Sequence, residues 1–176
     1  MSMRSENLRR FNRKRFNGQA MAEFALVLPL LLVVVFGLLE VGRLLFTYAS
    51  VTNASREAAR YGSAYGLNTS NVPRYQDCDG IREAAKRTGF LLGLQDEDIL
   101  IYHDTGPGDT SPTLYCDGIA SDTSIVFSCG DRIIVTVEED FAPVASLVPL
   151  DPMSFDSTSK RTFTGIIELT EDYSCD

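Results

Sequence analysis

The sequence predicts an α+β protein. It has a long N-terminal transmembrane and amphipathic helix, followed by a short helix and a small antiparallel sheet of about four strands. Three observations predict this. Residues 24–39 form an uncharged apolar run. From Val41 the apolar and small residues recur at helical spacing, and beyond Leu94 the pattern turns to short alternating runs separated by turn residues. The expected parts are a basic leader over 1–18, the helix over 19–66 and an exported α+β domain over 67–176. The last is long enough for one small domain.

Residues 1–17 carry six Arg and Lys against Glu6, a net charge of +5. The whole chain is −8, so the remainder carries −13. A basic tail abutting an apolar helix follows the positive-inside rule, with the N-terminus in the cytoplasm and the C-terminal domain outside. This placement argues against nucleic acid as the partner of the basic tail.

The helix is justified next. The uncharged run from Phe24 to Leu39 would rise about 24 Å at about 1.5 Å per residue, short of a bilayer core. The span Ala20 to Leu39 reaches the required length with one acid, Glu23, and Pro29 inside it. An acid in such a span points to function. Pro29 removes a backbone donor and loosens the helix near Ala25. Gly37 and Gly42 permit close helix approach. Small and apolar residues then recur at 41, 44, 45, 48, 51, 55, 58, 62 and 65, and Gly66 stops the helix. No small-residue cleavage site follows the apolar run, so cleavage before the helix is expected rather than removal of a signal peptide.

Asp79 offers an N-cap for a short helix from Ile81 to Leu92, closed by Gly93. Ile99 to His103 reads as a strand and residues 104–122 as a long surface loop. Ser124 to Ser128 and Arg132 to Phe141 read as a hairpin about Cys129-Gly130-Asp131. On the second strand Ile133, Val135 and Val137 share one face. Proline interrupts the stretch after Phe141, and Lys160 to Thr170 reads as the final strand.

All four cysteines follow the helix, on the side expected to be exported, which suggests two disulfides. Spacing leaves three connectivities open. If the strands Arg132–Phe141 and Lys160–Thr170 pair antiparallel, Cys129 and Cys175 meet at one sheet corner, leaving Cys78 and Cys116 to each other. Asp77-Cys-Asp79-Gly80 fails the calcium-loop pattern at Tyr75 and Lys86, and the single histidine, His103, has no zinc-finger spacing. Neither a metal nor a cofactor is expected. With one histidine and no nucleophile elbow, a catalytic role is not expected either. An uncleaved, signal-anchored sensor or adhesin remains the alternative, and a membrane-anchored enzyme a more remote one.

Three stretches together resemble the TadE-like family of tight-adherence (Flp-type) pilus proteins. They are Gly-Gln-Ala-Met-Ala-Glu-Phe-Ala-Leu-Val-Leu-Pro-Leu-Leu-Leu at 18–32, Gly-Leu-Leu-Glu-Val-Gly-Arg at 37–43, and Asn-Ala-Ser-Arg-Glu-Ala-Ala-Arg-Tyr-Gly at 53–62. The resemblance implies a pilin-like helix and cleavage by a prepilin peptidase after Gly18, leaving Gln19 as the new N-terminus. Glu23 would be the fifth mature residue, with Phe24 where the family has Tyr. Glu23 and Phe24 would serve recognition and assembly. The implied partners are other pilins or pseudopilins, pilus assembly proteins, the peptidase and membrane lipid. The implied place is the inner membrane, single-pass, or a surface pilus. A free ammonium on Gln19, from the same or a neighbouring subunit, would stabilise the poorly solvated Glu23 carboxylate.

Overall fold

The computed structural model describes residues 16–143 and 153–163. In order they form α1 (Phe16–Ser63), α2 (Cys78–Thr88), β1 (Ile99–Asp104), β2 (Thr113–Tyr115), β3 (Arg132–Phe141) and β4 (Met153–Thr162). Single 3₁₀ turns stand at Arg74–Gln76 and Asp96–Asp98. The fold is α+β, with a long apolar helix, a short helix and a four-stranded antiparallel sheet. Two compact units divide it within α1, one reaching Arg43 and the other starting at Leu44.

In the first unit α1 presents large apolar side chains on every face. Leu26, Leu30 and Leu38 are among the most exposed, and Val33, Val34 and Phe36 are about half exposed. The helix is long and apolar enough to cross a membrane. Pro29 lies inside it. Having no N–H, Pro29 cannot bond the Ala25 carbonyl. Gly37 and Gly42 have no neighbour where a Cβ would stand.

The second unit begins with the rest of α1. Here the buried residues are Thr47, Val51, Ala54, Ser55, Ala58, Ala59 and Gly62, a stripe of helical period made almost wholly of small side chains. The stripe is narrower than periodicity alone predicts. Val41, Leu45, Tyr48 and Tyr65 are exposed, while Thr47, Ala54 and Ala59 take their places. The core joins Val51, Ala54, Ala58 and Ala59 to Ile81 and Ala85 of α2, Ile99 and Ile101 of β1, and Ile133, Val135 and Val137 of β3. Full burial of each large aliphatic side chain stabilises the unit by roughly 1.5–3 kcal/mol. The closest approach is at Gly62, where an added Cβ would collide with the Ile133 side chain and press on Ile81. Any larger residue there would have to displace the end of the buried Ile133 side chain.

The sheet order is β2-β1-β3-β4, all antiparallel. Residues 133, 135 and 137 share the core face, as the alternation predicts. β4 meets α1 through hydroxyls: Ser55 Oγ lies 3.1 Å from Ser157 Oγ and 3.0 Å from Ser159 Oγ.

Four expectations need correction. First, α2 starts at Cys78, capped by Asp77 rather than Asp79; the Asp77 carboxylate accepts from Gly80 N at 3.2 Å. It ends at Thr88, because Gly89 breaks the helix and packs under Leu94. Second, Ser124–Ser128 is not a strand. Its backbone is satisfied by side chains: Asp122 takes Ser124 N–H, Gln76 donates to the Ile125 carbonyl, and Asp131 takes Ser128 N–H. Such local bonds compete with strand pairing. Third, the loop 104–122 contains β2, whose buried Tyr115 pairs with Ile101. Fourth, the final strand starts at Met153, seven residues before Lys160. Its alternation is Phe155, Ser157 and Ser159 toward α1, too polar to register as a hydrophobic pattern. Residues 164–170 lie outside the described residues.

Candidate functional site

The residues the sequence singles out lie at the start of α1. Helix assignment begins at Phe16, so Gly18 and Gln19 are already helical. Gly18 is exposed and has nothing within 4 Å of its Cβ position. Gln19 Nε2 donates to Glu23 Oε1 at 3.0 Å, one turn along. The structure thus brings two of the four residues together. Phe24 projects outward, 64% exposed. This end of the helix offers an accessible backbone at Gly18, an acid one turn inside an apolar surface, and a side-chain donor that already reaches that acid. From Ala20 to Leu39 no side chain is buried within the chain. That apolar surface has no cover among the described residues.

The helix carries a second polar arrangement near its other end, which sequence reasoning missed. Tyr61 Oη donates to Asp77 Oδ2 at 2.6 Å, tying the end of α1 to the cap of α2. Burial pushes the Tyr61 phenol up to about 12, and the bond to Asp77 adds to the shift. Arg74 lies over the Tyr61 ring, 5.3 Å from its centroid. Gly80 is required beside them, since a Cβ would strike the Asp77 carboxylate and the Tyr61 hydroxyl. These groups line an open polar cleft of about 570 Å³ with the loop Leu67–Val72. The sequence showed the Asp and Gly but not which of two aspartates caps the helix.

Cys78 and Cys116 form a disulfide with Cα atoms 5.4 Å apart. It joins the start of α2 to the end of β2, the pairing left by elimination above. Closing a 38-residue separation stabilises such a unit by about 4 kcal/mol on chain-entropy grounds. Arg82 reinforces the join. Its guanidinium donates to the carbonyls of Cys116 and Ile119, the latter at 2.9 Å. Cys129 sits in the turn before β3. β3 and β4 do pair antiparallel, with Arg132 opposite Thr162. Cys175, its expected partner, lies outside the described residues.

His103 stacks on Phe127 at 4.7 Å and contacts Asp131 through Nε2 at 3.2 Å. Phe127 also stacks on Tyr75, and Phe163 meets both edge-on. This is an aromatic core closing the base of the sheet. Asp104, almost fully buried, binds Arg132 Nε at 2.6 Å and Nη2 at 2.5 Å. Those bonds hold its carboxyl below the usual carboxylate range. Among the described residues no cluster of three or more His, Cys, Asp or Glu is placed to hold a metal ion.

Neither the curated proteins nor the solved structures yield a match to this chain. The protein-family models do. The matched family is pilus-related and structural rather than enzymatic. The match covers about a quarter of the chain and takes in Gly18, Gln19, Glu23, the exposed apolar surface and most of the small-residue stripe. Residues 18–60 match the family described as TadE-like protein, which identifies this stretch as a TadE-like segment.

Proposed function

We propose that this protein is a minor pilin or pseudopilin of a tight-adherence (Flp-type IVb) pilus system. It is inserted in the inner membrane by α1, with the basic leader in the cytoplasm and residues 67–176 outside. A prepilin peptidase cuts after Gly18, and the mature chain acts in pilus assembly or adhesion. Its partners are other pilins or pseudopilins, assembly proteins, the peptidase and membrane lipid. The second disulfide joins Cys129 to Cys175.

The observation that carries this reading is the contact between Gln19 and Glu23 at the head of an uncovered apolar helix. A carboxylate in an apolar surrounding needs a donor or a cation. Cleavage after Gly18 would turn Gln19 into an ammonium-bearing N-terminus, about one helical turn from that carboxylate. The amide contact then gives way to a charge-assisted one, within the subunit or from a neighbour. An apolar helix that no described residue covers suits lipid first and neighbouring helices afterwards.

The test is Glu23→Ala. Membrane insertion and cleavage are expected to persist, while co-purification with pilus components and piliation fall. Normal piliation in that variant would overturn the pairing of amine and carboxylate.

A further inference from the structure

The last strand of the sheet carries a feature that the pilus reading does not use. β4 is an edge strand: among the described residues it pairs along its whole length with β3 alone. The register runs without a bulge over ten residues, from Arg132↔Thr162 to Phe141↔Met153, and β4 contains no proline. Proteins normally blunt such an edge with a bulge, a proline, a short strand, a covering element or charged side chains. Among the described residues β4 has only the charged side chains, Asp156, Lys160 and Arg161.

The charges on β4 are only weakly answered within its own sheet, where Lys160 feels Asp104 of β1 at range and Asp156 has no base opposite it. Asp156 stands directly opposite Glu138, a like-charge pair. Lys160 stands opposite Ile134. Asp156, Thr158 and Lys160 are all exposed, on the face away from α1. They are spaced two residues apart, with the acid and the base symmetric about Thr158.

From these observations we infer that β4 pairs antiparallel with β4 of a second copy of this chain, about a two-fold axis at Thr158. In that register Asp156 faces Lys160 of the second copy, and the pair occurs twice. Ser157 faces Ser159, and Phe155 faces Arg161, a cation over a ring. Each copy supplies what the other lacks: a base beside the Asp156–Glu138 pair and an acid directly opposite Lys160. Lys160 also acts against unrelated strands, since a lysine on an edge resists pairing unless an acid stands opposite. The pair is isologous and therefore closed; it makes a dimer and does not propagate a filament. Two chains joined this way would present the exported units as one continuous eight-stranded sheet.

The experiment uses the full chain in detergent micelles. Directly opposed residues of an antiparallel pair have Cα atoms about 4.5–5.5 Å apart, inside the disulfide range. Thr158→Cys faces itself across the axis, whereas Lys160→Cys is displaced from its own copy by four residues of strand. Mild oxidation of Thr158→Cys is expected to give a reducible dimer several-fold more abundant than Lys160→Cys gives. Adding Asp156→Lys or Lys160→Asp to Thr158→Cys should each lower the dimer several-fold. The double exchange Asp156→Lys with Lys160→Asp should restore it. The same charge variants with Thr158 intact, read by light scattering, give the answer without the new cysteine. Equal cross-linking at 158 and 160, or single reversals that leave the dimer unchanged, would overturn the inference. Neither result bears on cleavage at Gly18, so this pairing and the pilus reading stand or fall separately.

Discussion

From Met21 to Leu39 α1 carries Met, Phe, Leu and Val, and all the large ones except the half-buried Leu28 are at least about two-fifths exposed. From Val51 to Gly62 the same helix carries Val, Ala, Ser and Gly on its inner stripe, and all of these are buried. Side-chain size and burial run opposite to intuition, and close packing explains why. Where a helix lies against its own sheet, small residues let the two backbones approach, and the sheet supplies the bulk through Ile133, Val135 and Val137. Where none of the described residues answers it, bulk stays on the helix, available to lipid or to other helices. A residue of the same type therefore means different things in the two stretches.

Glycine gives the sharpest contrast and the largest expected effect. Gly62→Leu forces a side chain into Ile133 and Ile81 and should destabilise the second unit by about 3 kcal/mol. At Gly37 an added Cβ meets nothing within 4 Å, and Gly37→Leu should leave that unit's unfolding midpoint unchanged. Urea unfolding followed by near-ultraviolet circular dichroism compares the two. Equal effects would mean that the small-residue stripe is not a contact surface.

This contrast also shows what sequence could and could not disclose. The apolar span, β3 to the residue, and the general α+β order were legible, because each rests on strong local periodicity. Gly18, Gln19 and Glu23 were singled out as a group through their resemblance to a family, not through spacing. β4 was only partly legible: its inward residues Ser157 and Ser159 meet a hydroxyl, Ser55, so burial leaves no apolar trace there. The cap at Asp77 was missed because Asp79 is as good a cap by type, and the choice is made by Tyr61, sixteen residues earlier. Ser124–Ser128 looked like a strand, yet side chains of Gln76, Asp122 and Asp131 take its backbone groups. Contacts of that kind have no local signature.

The next effect in size belongs wholly to the second unit. The Asp104 carboxyl is depressed in the folded state, so its bond to Arg132 stabilises the fold above the unfolded value of about 3.9. That contribution is lost as pH falls below about 4 toward the folded value. Asp104→Asn should cost about 2 kcal/mol at neutral pH and flatten the acid limb of stability against pH. An unchanged acid limb would place the acid sensitivity elsewhere, with Asp96 and Asp122, also depressed, next in line.

Ser55→Ala is the smallest change expected to register. It leaves Ser157 and Ser159 without their shared partner and should cost about 1 kcal/mol. Alanine fits the stripe sterically, so the loss isolates the hydroxyl contact between α1 and β4. A stabilising result would show that the three hydroxyls are better served apart.

The proposed cleavage at the head of the helix has the most direct test. The protein is extracted from membranes or pili and its N-terminal residue determined. A mature chain beginning at Gln19 is expected, with Gly18→Phe accumulating uncut at the full precursor mass. Residues 1–17 found intact on the assembled, functional protein would contradict it.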